Sequence, residues 1–340
     1  MRAPDSWLYF LTALTKGEES KLISEAQLEE AIGRRSVQEA KEALRGTRLG
    51  DHLLTSKTDS LREIEAALWG HLSDCIGELL SFTTIPRGII GMIRAYSMRY
   101  DLFNLIFAIR RILHGAGPST GFLSLGTMGE MGLLAELEGV GGLEGLCDLL
   151  WRCGLKRYGN VLSKYSKFSA EELGAKRAAI EEELWEAYYS ELLSISKELR
   201  DPHLAEAVRV SVMISNLKAI FRTLSEGGAG FAGGLVLRHL LPLSLIESLD
   251  SIRLEDLSRL FEGSGYGAML NEALSARAKG GLLAVESIFN KWEELFLRDL
   301  LSRRLFLPST IYWYLIQKEF EIRRVRMAFT KIFEGIAEVH

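Results

Sequence analysis

Residues Tyr100–Gly115 read YDLFNLIFAIRRILHG, an apolar run with an amide in its middle and a glycine at its end. Two later stretches have the same outline: NLKAIFRTLSEG from Asn216 to Gly227 and RVRMAFTKIFEG from Arg324 to Gly335. With Asn104, Asn216 and Arg324 in register, the offsets are 112 and 108 residues. Eleven positions on stand Gly115, Gly227 and Gly335, the residue type that ends a helix in the left-handed conformation. Around the anchors, Leu102, Ile214 and Ile322, then Leu105, Leu217 and Val325, then Ile109, Phe221 and Phe329, then Ile112, Leu224 and Ile332 are all apolar. Steps of three, four and three residues trace one face of an α-helix. The stretch therefore reads as one of three copies of a helix.

More of a unit recurs around it. Upstream of each anchor helix lies another amphipathic segment followed by a proline: Pro86, Pro202 and Pro308. Proline suits the first turn of a helix, where its missing N–H has no partner to lose. Asp201 directly before Pro202 is a capping residue. Each unit thus contains a long antiparallel helix pair. Ahead of each pair is a shorter cassette ending in an apolar or aromatic residue, Gly, two residues and Leu. These are Leu49-Gly50 with Leu53, Tyr158-Gly159 with Leu162, and Tyr266-Gly267 with Leu270. The cassette glycines are 109 and 108 residues apart, an independent measure of the same period. Units of about 110 residues exceed the roughly 34–47 of common helical solenoid repeats. The expected fold is all-α, with three pseudo-equivalent repeats (1–117, 118–232 and 233–340) around a pseudo-threefold axis.

Composition narrows the function. Of 340 residues, 47% are apolar and 25% charged, and 41 basic against 45 acidic side chains give a net charge of −4. That balance argues against a nucleic-acid partner, since such binding rests on neutralising phosphates. Three cysteines (Cys75, Cys147, Cys153), with no CxxC, point to free thiols rather than to zinc or disulfides. WLYFLTAL (Trp7–Leu14) is too short, and lacks the small-residue site, to read as a secretory signal. The longest charge-free run is broken by Gly, Pro, Ser and Thr, unlike a membrane span.

The runs RYDLFNLIFAIRRILHG, ISNLKAIFRTL and KEFEIRRVRMAFTKIFEG, with the cassette RLEDLSRLFEGSGYGAML, resemble the C subunit of V/A-type rotary ATPases, called the d subunit in the eukaryotic V-type enzymes. The resemblance runs roughly from Leu28 to Gly335. It implies a funnel-shaped, non-catalytic central-rotor protein, a spacer or socket coupling the central stalk to the membrane rotor ring for ion transport. It further implies stalk and ring subunits of the same ATPase as partners, no cofactor or metal, and one copy per complex. The location implied is peripheral, on the cytoplasmic side of the membrane and not inserted, with a soluble isolated chain. The sequence departs from the pattern at Met213, where the other units have Asp101 and Glu321, and at Arg324, where the others have Asn.

Candidate sites are few. Asn104 lies off the apolar stripe, on a flank with Tyr100, Asp101, Ala108 and Arg111. A buried amide there needs partners, so Asn104 and Asn216 read as pins for a turn or a neighbouring helix, with Arg324 reaching a carboxylate instead. The basic residues Arg110, Arg111, Arg303, Arg304, Arg323 and Arg326 are candidates for partner contact, set against helix-end compensation and pairing within the chain. Glu181, Glu182 and Glu183, near Lys176 and Arg177, read as a solvated helix face. Gly228, Gly230 and Gly233 match GxGxxG but follow a helix, without the strand that gives the motif meaning. The glycine-rich stretch 115–142 reads as the least regular part of the chain, a surface link between the first two units or equally a partner contact. No GxxxxGK[ST] or HExxH occurs, and the six histidines lack metal-ligand spacing. Two other functions remain open: a helical adaptor of another complex, and an all-α enzyme with carboxylates gathered in a central cavity.

Overall fold

The computed structural model describes residues 6–34, 36–56, 60–114, 121–225, 235–249 and 251–339. Among them there is no strand, and the fold is all-α. No helix among the described residues is long and apolar enough to cross a membrane. The first helices are α1 (Ser6–Glu19), α2 (Glu25–Ile32), α3 (Val37–Ala43), α4 (Arg48–Thr55), α5 (Leu61–Ser81) and α6 (Arg87–His114). Next come α7 (Gly126–Glu130), α8 (Leu134–Gly139), α9 (Leu143–Arg152), α10 (Lys156–Ser163), α11 (Ala170–Glu198) and α12 (Pro202–Ser225). The chain ends with α13 (Leu243–Ser248), α14 (Gly265–Leu301) and α15 (Pro308–Val339).

The three anchor helices are α6, α12 and α15, each starting at or just after its proline. Asp201 caps α12 as its sequence foretells, its Oδ1 accepting from the N–H groups of His203 and Leu204 at 3.0 and 3.2 Å. Ten of the twelve stripe residues are buried, and Ile112 and Leu224, at the last turn, are half-buried. The third terminal glycine departs from expectation, because α15 continues through Gly335 to Val339. Glycine permits a left-handed stop without imposing one, and inside a helix it costs only about 0.5–1 kcal/mol relative to Ala. Gly115, Gly227 and the GxGxxG glycines lie outside the described residues.

The cassettes explain their own glycines. Thr47 Oγ1 donates to Leu44 O at 2.8 Å and accepts from Gly50 N at 3.0 Å, capping α4. Ser264 does the same in the third cassette, donating to Phe261 O at 2.6 Å and accepting from Gly267 N at 3.3 Å. That turn folds the carbonyl six residues upstream against the glycine, where an added Cβ would lie 1.9 Å from Leu44 O or 2.4 Å from Phe261 O. Nothing larger than hydrogen fits. The second cassette has Lys156 at the hydroxyl position, and there the Trp151 indole fills the space facing Gly159. The third cassette also runs straight into its long helix: α14 spans both, broken only at Gly281 (φ 68°, ψ −158°).

The helices form two compact units. The first comprises Met1–Phe107, Pro118–Glu138 and Arg304–His340. In it α15 packs on α1, α2, α3 and α5, burying Leu11, Leu44, Ile64, Leu68, Leu315, Ile322 and Phe329. The second comprises Ala108–Gly117 and Gly139–Arg303. There α12 packs on α11 and on α14, around Ile214, Leu217, Phe221, Leu257, Met269 and Phe289.

The stretch from 121 to 142 is not an irregular linker: it contains α7 and α8 and buries Leu125, Met128 and Leu137. Its glycines serve geometry, Gly126 taking φ +80° where it passes the Asp101 carboxylate. The three cysteines are buried and in no disulfide.

Candidate functional site

The recurring feature of the anchor helices is a backbone clamp. Asn104 Nδ2 donates to Leu123 O at 2.9 Å while its Oδ1 accepts from Leu123 N at 2.7 Å. Asn216 repeats the arrangement on Val236, donating to the carbonyl at 2.7 Å and accepting from the N–H at 2.8 Å. Each amide thus replaces the two bonds a strand neighbour would give to one residue of a non-helical segment. Each clamped residue lies about twenty positions downstream, on the path into the next cassette.

A carboxylate three residues before the anchor adds backbone bonds at two of the three anchors. Asp101 accepts from Thr127 N and Met128 N, both at 2.8 Å. Glu321 accepts from Ile23 N at 2.8 Å and from Lys318 Nζ at 3.2 Å. At the second anchor Met213 leaves the amide to act alone. Arg324 reaches a carboxylate, Glu25, at 2.8 Å. The third anchor helix therefore bonds back to the first residues of the chain, on the path into the first cassette. The acidic positions were visible in the sequence as a pattern, but their targets are backbone N–H groups, which carry no sequence signal.

Beside this clamp the first unit has a buried ionic cluster that sequence reading missed. Burial alone would raise the Glu319 carboxyl, but the Arg323 and Arg99 guanidiniums and the Tyr96 hydroxyl hold it down at about 2. Tyr96 Oη donates to Glu319 Oε2 at 2.7 Å and Arg99 to the same oxygen at 2.6 Å. The only hint was polar residues (Lys318, Glu319, Glu321) within the apolar run that opens α15.

Two buried groups in this unit work against each other as pH changes. Burial pushes Asp101 up from 3.8 to about 7, against the pull of the Met128 and Thr127 N–H groups. Burial, then the Lys318 charge, pushes His71 down from 6.5 to about 3. Asp101 has a raised folded value, so its contribution is complete below about pH 4 and is lost as pH rises towards 7. His71 has a lowered one, so its contribution is complete above pH 6.5 and is lost as pH falls towards 3. The slopes oppose between about pH 4 and 6.5. Asp101→Asn removes one of them, so the variant should lose stability on acidification more steeply than the parent, by at most about 1.4 kcal/mol per pH unit. Thermal melts of both proteins across that range check this; parallel curves would show that Asp101 does not titrate there.

The basic candidates separate. Arg110 makes a bidentate pair with Glu181 of α11 at 3.0–3.1 Å, and Arg222, at the same place in the second repeat, pairs with Glu286 of α14. Arg326 pairs with Glu65 of α5, and Arg323 with Glu319. In each case but the last, an anchor helix is joined to the first long helix of another repeat. Arg111 is half-buried, and Arg303 and Arg304 are exposed. The acidic run of α11 is not simply a solvated face. Glu181 meets Arg110, Glu182 lies 3.8 Å from Arg238, and Glu183 bonds Lys164 and Tyr165. Neighbouring elements supply these cations, beside Arg177 of α11 itself, which lies 3.8 Å from Glu181.

These clamps and seams follow the period read from the sequence. The family model described as ATP synthase (C/AC39) subunit matches residues 11–338. This chain belongs to that family. Among C/AC39 relatives, the A-type ATP synthase C subunit of Thermococcus gammatolerans is 24% identical over 327 residues, covering 93% of this chain and 84% of the relative. That of Thermococcus onnurineus is 23% identical over 341 residues, covering 97% and 88%. That of Methanothermobacter thermautotrophicus is 26% identical over 315 residues, covering 90% and 79%.

Proposed function

We propose that this chain is the non-catalytic C subunit of an A/V-type ATP synthase, a spacer or socket that couples a central stalk to a membrane rotor ring during ion transport. The carrying observation is the bond from Glu321 back to Ile23, with α15 packed on α1, α2 and α5. The bond joins the third repeat to the first within one compact unit, and it is compatible with repeats 1–117, 118–232 and 233–340 set around a pseudo-threefold axis. A torque-bearing coupler gains stiffness from such helix packing, since close-packed interiors have little void to compress.

In this reading the chain sits peripherally on the cytoplasmic side of the membrane, one copy per complex. Arg110, Arg111, Arg303, Arg304, Arg323 and Arg326 are candidates for contact with stalk or ring, and of these Arg110, Arg303, Arg304 and Arg326 are exposed. The test is reconstitution of the complex with and without the chain. ATP hydrolysis by the soluble head should persist without it, while ion pumping falls to background. Equal pumping in its absence would overturn the role.

A further inference from the structure

We propose that an aromatic edge on the first unit, built from Tyr9, Phe10, Leu305 and Phe306, docks onto an anionic lipid surface. These side chains are 47%, 45%, 47% and 37% exposed, and they are neighbours rather than scattered. The Tyr9 ring lies 4.7 Å from that of Phe306, and the Phe10 ring 5.0 Å from that of Phe82. One turn of α1 therefore joins the loop before α6 to the loop before α15 in a continuous apolar strip. Single exposed apolar residues are ordinary; a contiguous group has a purpose.

The turn before α15 sets where the Phe306 ring lies. Phe306 has φ +58°, a left-handed conformation that a bulky residue adopts only under constraint, and Arg200, two residues before Pro202 as Phe306 is before Pro308, has φ +54°. The turn into the anchor helix imposes this backbone, and at Phe306 it leaves an aromatic ring at the surface.

Charge identifies the occupant. The three stretches that meet at this edge, 6–17, 81–94 and 304–317, contain no Asp or Glu, in a chain whose net charge is −4. Their cations are Lys16, which pairs with Glu19 at 2.8 Å, and Arg87, Arg94 and Arg304; Arg87 and Arg94 are exposed seven residues apart on one face of α6. Aromatic rings on stretches that carry exposed arginines and no carboxylate match the headgroup zone of an anionic bilayer. Size points the same way: the four exposed side chains offer roughly 300–400 Å², about half of what one partner contributes to a standard protein interface. Shallow insertion into lipid needs no more.

The inference goes beyond the rotor role and is tested apart from it, on the purified full chain. Co-sedimentation is measured with phosphatidylcholine vesicles, with and without phosphatidylglycerol, at low and high salt. The bound fraction should be on the order of tenfold higher on the anionic vesicles and should fall with salt. Tyr9→Ser with Phe306→Ser should abolish it, and Arg87→Glu should reduce it severalfold. Phe306→Gly separates binding from folding, since it relieves the strained backbone while deleting the ring. That variant should melt no lower than the parent yet bind anionic vesicles less. Binding no better than to phosphatidylcholine, or unchanged binding by the variants, overturns the proposal. So does self-association lost in Tyr9→Ser with Phe306→Ser, or binding only to vesicles that contain a rotor ring, since each assigns the edge to protein.

Discussion

Glu321→Leu is expected to destabilise the first unit by about 3–5 kcal/mol, the loss typical of orphaning one member of a buried ion pair. Lys318 and Glu321 both have side chains that are 0% exposed, joined at 3.2 Å one helical turn apart. Removing the carboxylate leaves an ammonium in an apolar interior. It also takes the acceptor from Ile23 N–H, which adds about 1–3 kcal/mol if no water replaces it. The double variant Lys318→Met, Glu321→Leu removes both charges and should recover most of the loss, leaving chiefly the orphaned N–H. Urea unfolding, with the transition of this unit followed separately because two compact units need not unfold together, checks both. A single variant as stable as the double would show that the pair carries no such burden.

The second large effect is at Asn216. Asn216→Leu deprives Val236 of both backbone partners, and Val236 is only 4% exposed. Two buried unsatisfied groups put the cost at about 2–4 kcal/mol. Asn104→Leu makes the same deletion but should cost about half as much. Asp101 would still hold Thr127 and Met128 of the same segment, whereas Met213 gives the second repeat no such reserve. The ranking is the sharp part of the prediction. Equal losses would mean that the carboxylate clamp contributes nothing to retaining the segment.

The two asparagines also show how far sequence reading reaches. Their position off the apolar stripe, at a fixed distance from it in two repeats, was enough to call for partners. It could not say that both partners would be the N–H and C=O of one residue, because every residue but proline offers the same backbone pair. The cassette glycines are similar. Their period was plain, yet the reason is a carbonyl folded within 2.4 Å or less of a Cβ position in the first and third cassettes, and an indole in the second. Reading the glycine-rich stretch after α6 as a linker failed because glycine content signals conformational freedom, not exposure. Gly126 uses that freedom to bring α7 against Asp101. The α11 glutamates were read only in part: Arg177 of their own helix does lie 3.8 Å from Glu181, but further cations come from α6, from the segment after α12 and from the end of α10.

Sequence by itself determined the helical class, the threefold period of about 110 residues and the buried stripe of each anchor helix. All are written in local spacing, which the 3.6-residue turn converts directly into a face. Tertiary structure alone decided where each clamp closes, which charges meet across helices, and that the last anchor helix returns to the start of the chain. Those outcomes depend on backbone groups and on residues up to 299 positions apart. No local pattern encodes such a meeting; only packing brings it about.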